Sequence, residues 1–242
     1  MMLFEDIFPA SFWLDVFKAL LGTLIGAGLA FWFALRKDYL TKRAERKAAG
    51  NYAVLTLLRQ TDDYLRTKAV IEAFRDELLK HQPKSPLWML IKPMHLNYSD
   101  NLKFDLDSLV FLLEHKEGAS VLEKLLSADR KYHDFFSLLV THAGASEEGQ
   151  RKLSDGKVDP RQGVNIAELE KVMGFQLVAK IESLVRGIFN HFDRTDATFN
   201  EACEELPKVL RAIFGKKGVI RIQLPDAATL RAQAAKSFPE FD

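Results

Sequence analysis

Six histidines, His81, His95, His115, His133, His142 and His191, are the side chains best suited to moving protons near neutral pH. None sits in a His-Glu-x-x-His pattern, and no two lie four apart beside a carboxylate, so a helical zinc site has no support. His133-Asp134 is a lone His-Asp pair, without the further histidines and aspartate, in order, that metal-dependent phosphohydrolysis would need. Two arginine–histidine spacings are more specific: Arg186 with His191, and Arg75 with His81. A histidine can shuttle protons at a phosphodiester while an arginine steadies the phosphate. With 14 arginines and six histidines, about one such spacing arises by chance. Arg75 and His81 also fit a solvated helix face near a helix end, where cations are favoured. Asp105 and Asp107 form a D-x-D pair that could hold a metal. Directly ahead of the apolar run 108–113, such acids more simply serve the free amides of a helix start. No glycine-rich phosphate loop, G-x-S-x-G elbow or kinase signature is present. The residues therefore assign no catalytic group, no metal ligand and no cofactor.

The elements that would position these side chains follow from composition and pattern. A chain of 242 residues with 48% hydrophobic and 28% charged residues folds, as one or two domains. A net charge of +1 removes the usual argument for nucleic-acid binding. The single cysteine, Cys203, excludes an internal disulfide and a CxxC zinc site, and suits a reducing compartment.

The most informative stretch is apolar. Residues 19–35, ALLGTLIGAGLAFWFAL, carry no charge. Extended back to Phe12, the run has 24 residues and only Asp15 and Lys18 as charges. At about 1.5 Å per residue it reaches roughly 36 Å, enough for a hydrocarbon core of about 30 Å. Phe12, Trp13 and Phe17 at one end, and Phe31, Trp32 and Phe33 at the other, match interfacial aromatic belts. Asp15 and Lys18, three apart, can pair. A cleaved leader would need a basic start, whereas residues 1–18 carry a net −2, and no small-residue cleavage site follows. Residues 36–50 carry Arg36, Lys37, Lys42, Arg43, Arg46 and Lys47 against Asp38 and Glu45, a net +4. Positive flanks stay inside, so the expected layout is a short extracytoplasmic segment 1–11, a transmembrane helix 12–35 and a cytoplasmic domain 36–242 at the inner (plasma) membrane. The basic flank reads as a topology and lipid-headgroup signal. Gly22, Gly26 and Ala30, four apart, form a small-residue face on which two such helices could pack.

Helical period dominates the remainder. Val54, Leu57, Leu58, Thr61, Tyr64, Leu65, Ile71, Phe74 and Leu78 make a near-heptad stripe on a helix that no proline interrupts from Arg36 to His81. Gly50 is its expected bend, and Thr61 and Lys68 break the apolar seam, which favours a bundle over a two-stranded coiled coil. A connector opens at Pro83 and holds the apolar piece 87–91, LWMLI, expected to plug the bundle. Gly118 interrupts the pattern after the short helix 108–113. Helices are then expected over Val121–Leu139, Val164–Phe192 and Asp196–Phe214, with Pro207 as a kink or break and residues 143–165 as a loop or linker. Val219–Leu224 alternates like one short strand without a partner, and Ala227–Lys236 makes a final helix. The fold class is mainly α.

A single span, a basic juxtamembrane helix, FDLDSLVFLLE at Phe104–Glu114 and KYHDFFSLL at Lys131–Leu139 together resemble a broad set of bacterial single-pass membrane proteins with helical cytoplasmic domains. In outline the chain is also similar to membrane-tethered helical proteins of bacterial antiphage systems, some with HEPN-like domains and some forming oligomeric pores. The anchor, the large amphipathic helices and the lack of a catalytic constellation point to a membrane-anchored, non-enzymatic interaction protein that binds lipid and either itself or a cytoplasmic partner, with phage defence or stress response as the expected setting. A homo-oligomeric pore is the alternative. A tethered HEPN-like RNase acting through Arg186 and His191, or Arg75 and His81, is a second.

Overall fold

The computed structural model describes residues 10–94, 102–156, 166–224 and 226–236, except the side chains of residues 10–13, 193 and 227. Residues 1–9 of the expected outer segment, His95, and residues 157–165 of the expected linker lie outside the described residues, as do the side chains of Phe12 and Trp13. The protein is mainly α: α1 spans Ala10–His81, α2 Gly118–Asp155, α3 Ile166–Met173, α4 Phe175–Phe214 and α5 Ala227–Ala235. Short 3-10 segments cover Leu87–Met89 and Asp107–Glu114, and no strand forms among the described residues. Two compact units divide between Ala48 and Ala49, within α1.

In the first unit α1 is apolar around its whole circumference and none of its 18-residue apolar window is buried. Leu24 is 71% exposed and Phe31 67%. A soluble core helix of this composition would be covered, because leaving a Leu-sized side chain in water forgoes about 1.5–3 kcal/mol. One helix is thus long and apolar enough to cross a membrane. Its polar groups are served within the helix: Thr23 Oγ1 donates to Ala19 O at 2.8 Å, and Lys18 Nζ lies 3.6 Å from Asp15 Oδ1. The Arg36 guanidinium lies over the Trp32 ring, 5.2 Å from its centroid.

The second unit is built on α1, α2 and α4, each burying a seam of alternating three- and four-residue steps. On α1 the seam runs through Val54, Leu57, Thr61, Tyr64 and Ile71. On α2 it runs through Val121, Leu125, Ala128, Tyr132, Phe135 and Leu139, and on α4 through Ile181, Val185, Ile188, Phe192, Phe199 and Leu206. Thr61, which interrupts the seam, is buried at no cost in lost hydrogen bonding: its Oγ1 donates to Leu57 O at 2.7 Å. Contacts give the topology. Tyr64 of α1 packs edge-to-face against Phe135 of α2 and at a tilt against Phe199 of α4. Gln60 meets Asp129, while Phe74 lies beside Ser146, so α1 and α2 run parallel. Gly50 faces Leu210 and Arg75 faces Phe189, so α4 runs antiparallel to α1. A parallel pair needs a return crossing. The connector supplies it, starting with the 3-10 turn at Trp88 near one end of the bundle and finishing with Phe111 against Phe214 at the other.

Several expectations are corrected. Residues 143–155 are not loop; they continue α2, with Ala143, Ala145 and Leu153 in the core. α1 is continuous through Gly50, where a Cβ would stand 2.5 Å from Leu210 Cδ2. Residues 107–114 wind as a 3-10 segment, not an α-helix. The helix expected over Val164–Phe192 divides at Gly174, whose φ of +88° suits glycine, and its second part fuses with the next helix into one 40-residue α4. Pro207 does not end α4, because Leu206, Val209 and Leu210 are buried on either side of it and hold the turn against the roughly 3 kcal/mol that a helical proline costs. Residues 219–224 are extended without being a strand. Asn51 of α1 takes the place of a partner strand: its Oδ1 accepts from Ile220 N at 3.2 Å and its Nδ2 donates to Gly218 O at 2.9 Å.

Candidate functional site

The arginine–histidine candidates are held by helices, and helical geometry separates them. Arg186 and His191 are five apart on α4, so they are about 140° apart around its axis. Arg186 is exposed and His191 half-buried. On α1, Arg75 donates through Nε and Nη2 to Asp76 Oδ1, at 3.0 and 2.8 Å, and its guanidinium lies 5.5 Å from the Phe189 ring centroid. His81 Nε2 lies 3.1 Å from Glu77 Oε1. The bundle does bring Arg75 against the α4 turn that holds Arg186 and His191, through the ring face of Phe189.

The other chemical candidates have local roles. Asp105 Oδ1 accepts from Ser108 N at 3.4 Å, at the start of the 3-10 segment. His133 Nε2 faces Asp129 Oδ1 at 3.5 Å, and Asp129 also accepts from Gln60 Nε2 at 2.6 Å. Among the described residues no group of three or more His, Cys, Asp or Glu side chains could hold a metal. Burial pushes the Cys203 thiol up, against the opposing contact with Thr61 Oγ1 at 3.5 Å.

On the first unit, the small-residue face is open. A Cβ at Gly22 or Gly26 would meet no atom within 4 Å, and Ala30 is likewise exposed. Arg36, Lys37, Lys42, Arg43 and Arg46 are exposed and Lys47 is half-buried. The acidic Asp38 and Glu45 leave this stretch net positive.

Two polar constellations escaped the sequence. The first joins α1, α4 and α5. Tyr64 Oη donates to Asp196 Oδ1 at 2.8 Å, Lys68 Nζ pairs with Asp196 Oδ2, and buried Glu72 accepts from Arg231 Nη2 at 2.6 Å. Lys68 also lies over the Phe192 ring, 5.1 Å from its centroid. The i, i+4 spacing of Lys68 and Glu72 was legible; their partners, more than a hundred residues on, were not. The second is Asp63, whose carboxyl burial pushes up while the hydrogen bond from Tyr132 Oη at 3.2 Å pulls it down. It lies in an open cleft with Arg59, Asp62 and Arg66 along the extended segment at Gln223. Opposite charges are interleaved there, so the cleft presents no single sign to a ligand. No protein-family model, no curated protein and no solved structure matches the chain.

Proposed function

We propose that the protein is a membrane-anchored interaction protein: α1 fixes it in the plasma membrane and its helical domain, on the cytoplasmic side, binds a protein partner. The observation that carries this reading is α1 itself. Its first half is apolar on every side and uncovered, while its second half is a core strut of the folded unit. The net +4 flank at residues 36–50 supports the orientation, since cations next to a span are retained in the cytoplasm. It also favours anionic lipid, at about 1 kcal/mol for each cation close to the surface. Purification of the full chain from its own host at native level, followed by the mass and composition of the detergent-solubilised particle, tests the reading. A second polypeptide in stoichiometric amount is expected, and a particle of this chain alone overturns the partner. A fluorescent protein fused after Asp242 should fluoresce, and a dark, exported fusion overturns the orientation.

The open Gly22, Gly26 and Ala30 face supports one second reading, a homo-oligomeric pore. In that case Gly26→Leu reduces assembly and any depolarisation on overexpression. Unchanged assembly removes this face from consideration.

A further inference from the structure

The α2 seam changes character toward its C-terminal end. After Leu139 its three- and four-residue steps run through buried His142, half-buried Ser146, and buried Gly149 and Leu153, with Ala143 and Ala145 buried beside them. Met173 Cε packs so closely on Gly149 that a Cβ there would stand 2.8 Å from it, and beside Ser146 and Gly149 a cavity of about 190 Å³ opens. Its walls come from every packing element of that end: Phe74 of α1, Trp88 of the connector, Leu153 of α2, Met173 of α3 and Ile181 of α4. An apolar cavity of about 150 Å³ suffices for benzene, so this one admits a single ring with a short side arm. Two aromatic walls and the Met173 thioether favour an aromatic guest over a branched aliphatic one. The Trp88 ring is held in place by its Nε1 donating to Glu170 Oε1 at 3.2 Å.

The polar side chains of the cavity are one cation and two neutral groups. Lys92, Gln150 and Ser146 line it, and among the described residues no carboxylate does. Lys92 is exposed and has no ion-pair partner among the described residues. Ser146 Oγ lies 3.4 Å from Nε2 of His142, which is 1% exposed. Burial holds that imidazole neutral, its pKa down to about 4. A neutral ring nitrogen can donate to the serine oxygen and leave the hydroxyl proton for a guest. One cation with two neutral donors matches a single negative charge.

We propose that this cavity is a binding site for a small aromatic monocarboxylate, its ring between Phe74, Trp88 and Met173 and its carboxylate at Lys92, Gln150 and Ser146. The site stands independently of the membrane reading and adds a ligand to it. The test uses the full chain in nanodiscs of zwitterionic lipid, with empty discs as the blank. The probes are 3-phenylpropionate and its neutral amide, and binding is read by saturation-transfer NMR and equilibrium dialysis. Wild type is expected to bind the acid saturably and at least tenfold more tightly than the amide. Lys92→Glu should weaken the acid at least tenfold and leave the amide unchanged. Ser146→Leu should abolish both, and Lys216→Glu, at an exposed lysine elsewhere, should change neither. Absence of saturable binding by wild type overturns the site. Equal binding of acid and amide, or an acid affinity unchanged by Lys92→Glu, overturns the carboxylate. Lys92 is exposed, so its variant keeps the test decisive even if Ser146→Leu fails to fold.

Discussion

Burial of His142 ties the stability of the fold to pH. Its pKa falls from an ordinary 6.5 to about 4 in the folded protein. Between those values the unfolded chain binds the proton and the folded chain does not, so stability is full above about pH 6.5 and is lost as pH falls toward 4. The shift corresponds to roughly 3 kcal/mol across that window. His142→Leu should flatten the wild-type decline in urea midpoint between pH 6.5 and 4, and an unchanged decline would place the titration elsewhere. Gly118 is the second single-residue constraint. A Cβ there would lie 1.7 Å from Leu112 O, a backbone atom that cannot swing away. Gly118→Ala should cost about 3 kcal/mol and lower the Tm by several degrees, with the 3-10 segment displaced. The steric conflict involves residues six apart, across a turn whose shape nothing local announces, so from sequence Gly118 reads only as a breaker.

Two peripheral elements are tied to the bundle by few polar contacts. The extended segment 219–224 is fixed at its start by the two hydrogen bonds of Asn51. Asn51→Ala should cost about 1–2 kcal/mol and speed amide exchange at Ile220 tenfold or more, while α2 amides keep their protection. α5 rests on a small patch, Leu230 and Ala234 against Ala69, and on the Arg231–Glu72 ion pair. Arg231→Glu sets like charges together beside buried Glu72. Exchange across α5 should then rise toward the unprotected rate with the core of α4 unaffected, and uniform loss of protection would show instead that α5 is integral to the core. The long seams of α1, α2 and α4 were legible because three- and four-residue periodicity records burial directly. Residues 143–155 were not. Their glycine, serine and glutamate content is that of a loop, and they are helical because Leu153 and Ala145 find core partners. The cavity lies beside this stretch, with Ser146, Gly149, Gln150 and Leu153 in its lining. Neither the cavity nor its converging polar groups could be read in advance, since they come from five separate stretches of chain.

For the whole molecule, the buried apolar core begins at Ala53, within the second unit. A chain lacking residues 1–35 should therefore remain in solution and unfold cooperatively with a Tm within a few degrees of the full chain. Loss of a cooperative transition would mean that the apolar segment contributes to the fold. The apolar segment was legible from composition. Its full exposure was not, because an equally apolar run could line a core. What the fold demands of the cell that makes it follows from how far apart its core partners lie. Tyr64 of α1 waits for Asp196 of α4, 132 residues later. At about 5–20 residues per second the ribosome takes roughly 7–26 s to cover that distance. During that interval the Leu57–Tyr64–Ile71 seam has no α4 to cover it. Nascent chains ending between residues 85 and 195 should consequently crosslink to chaperones through α1, and chains extended past residue 214 should not.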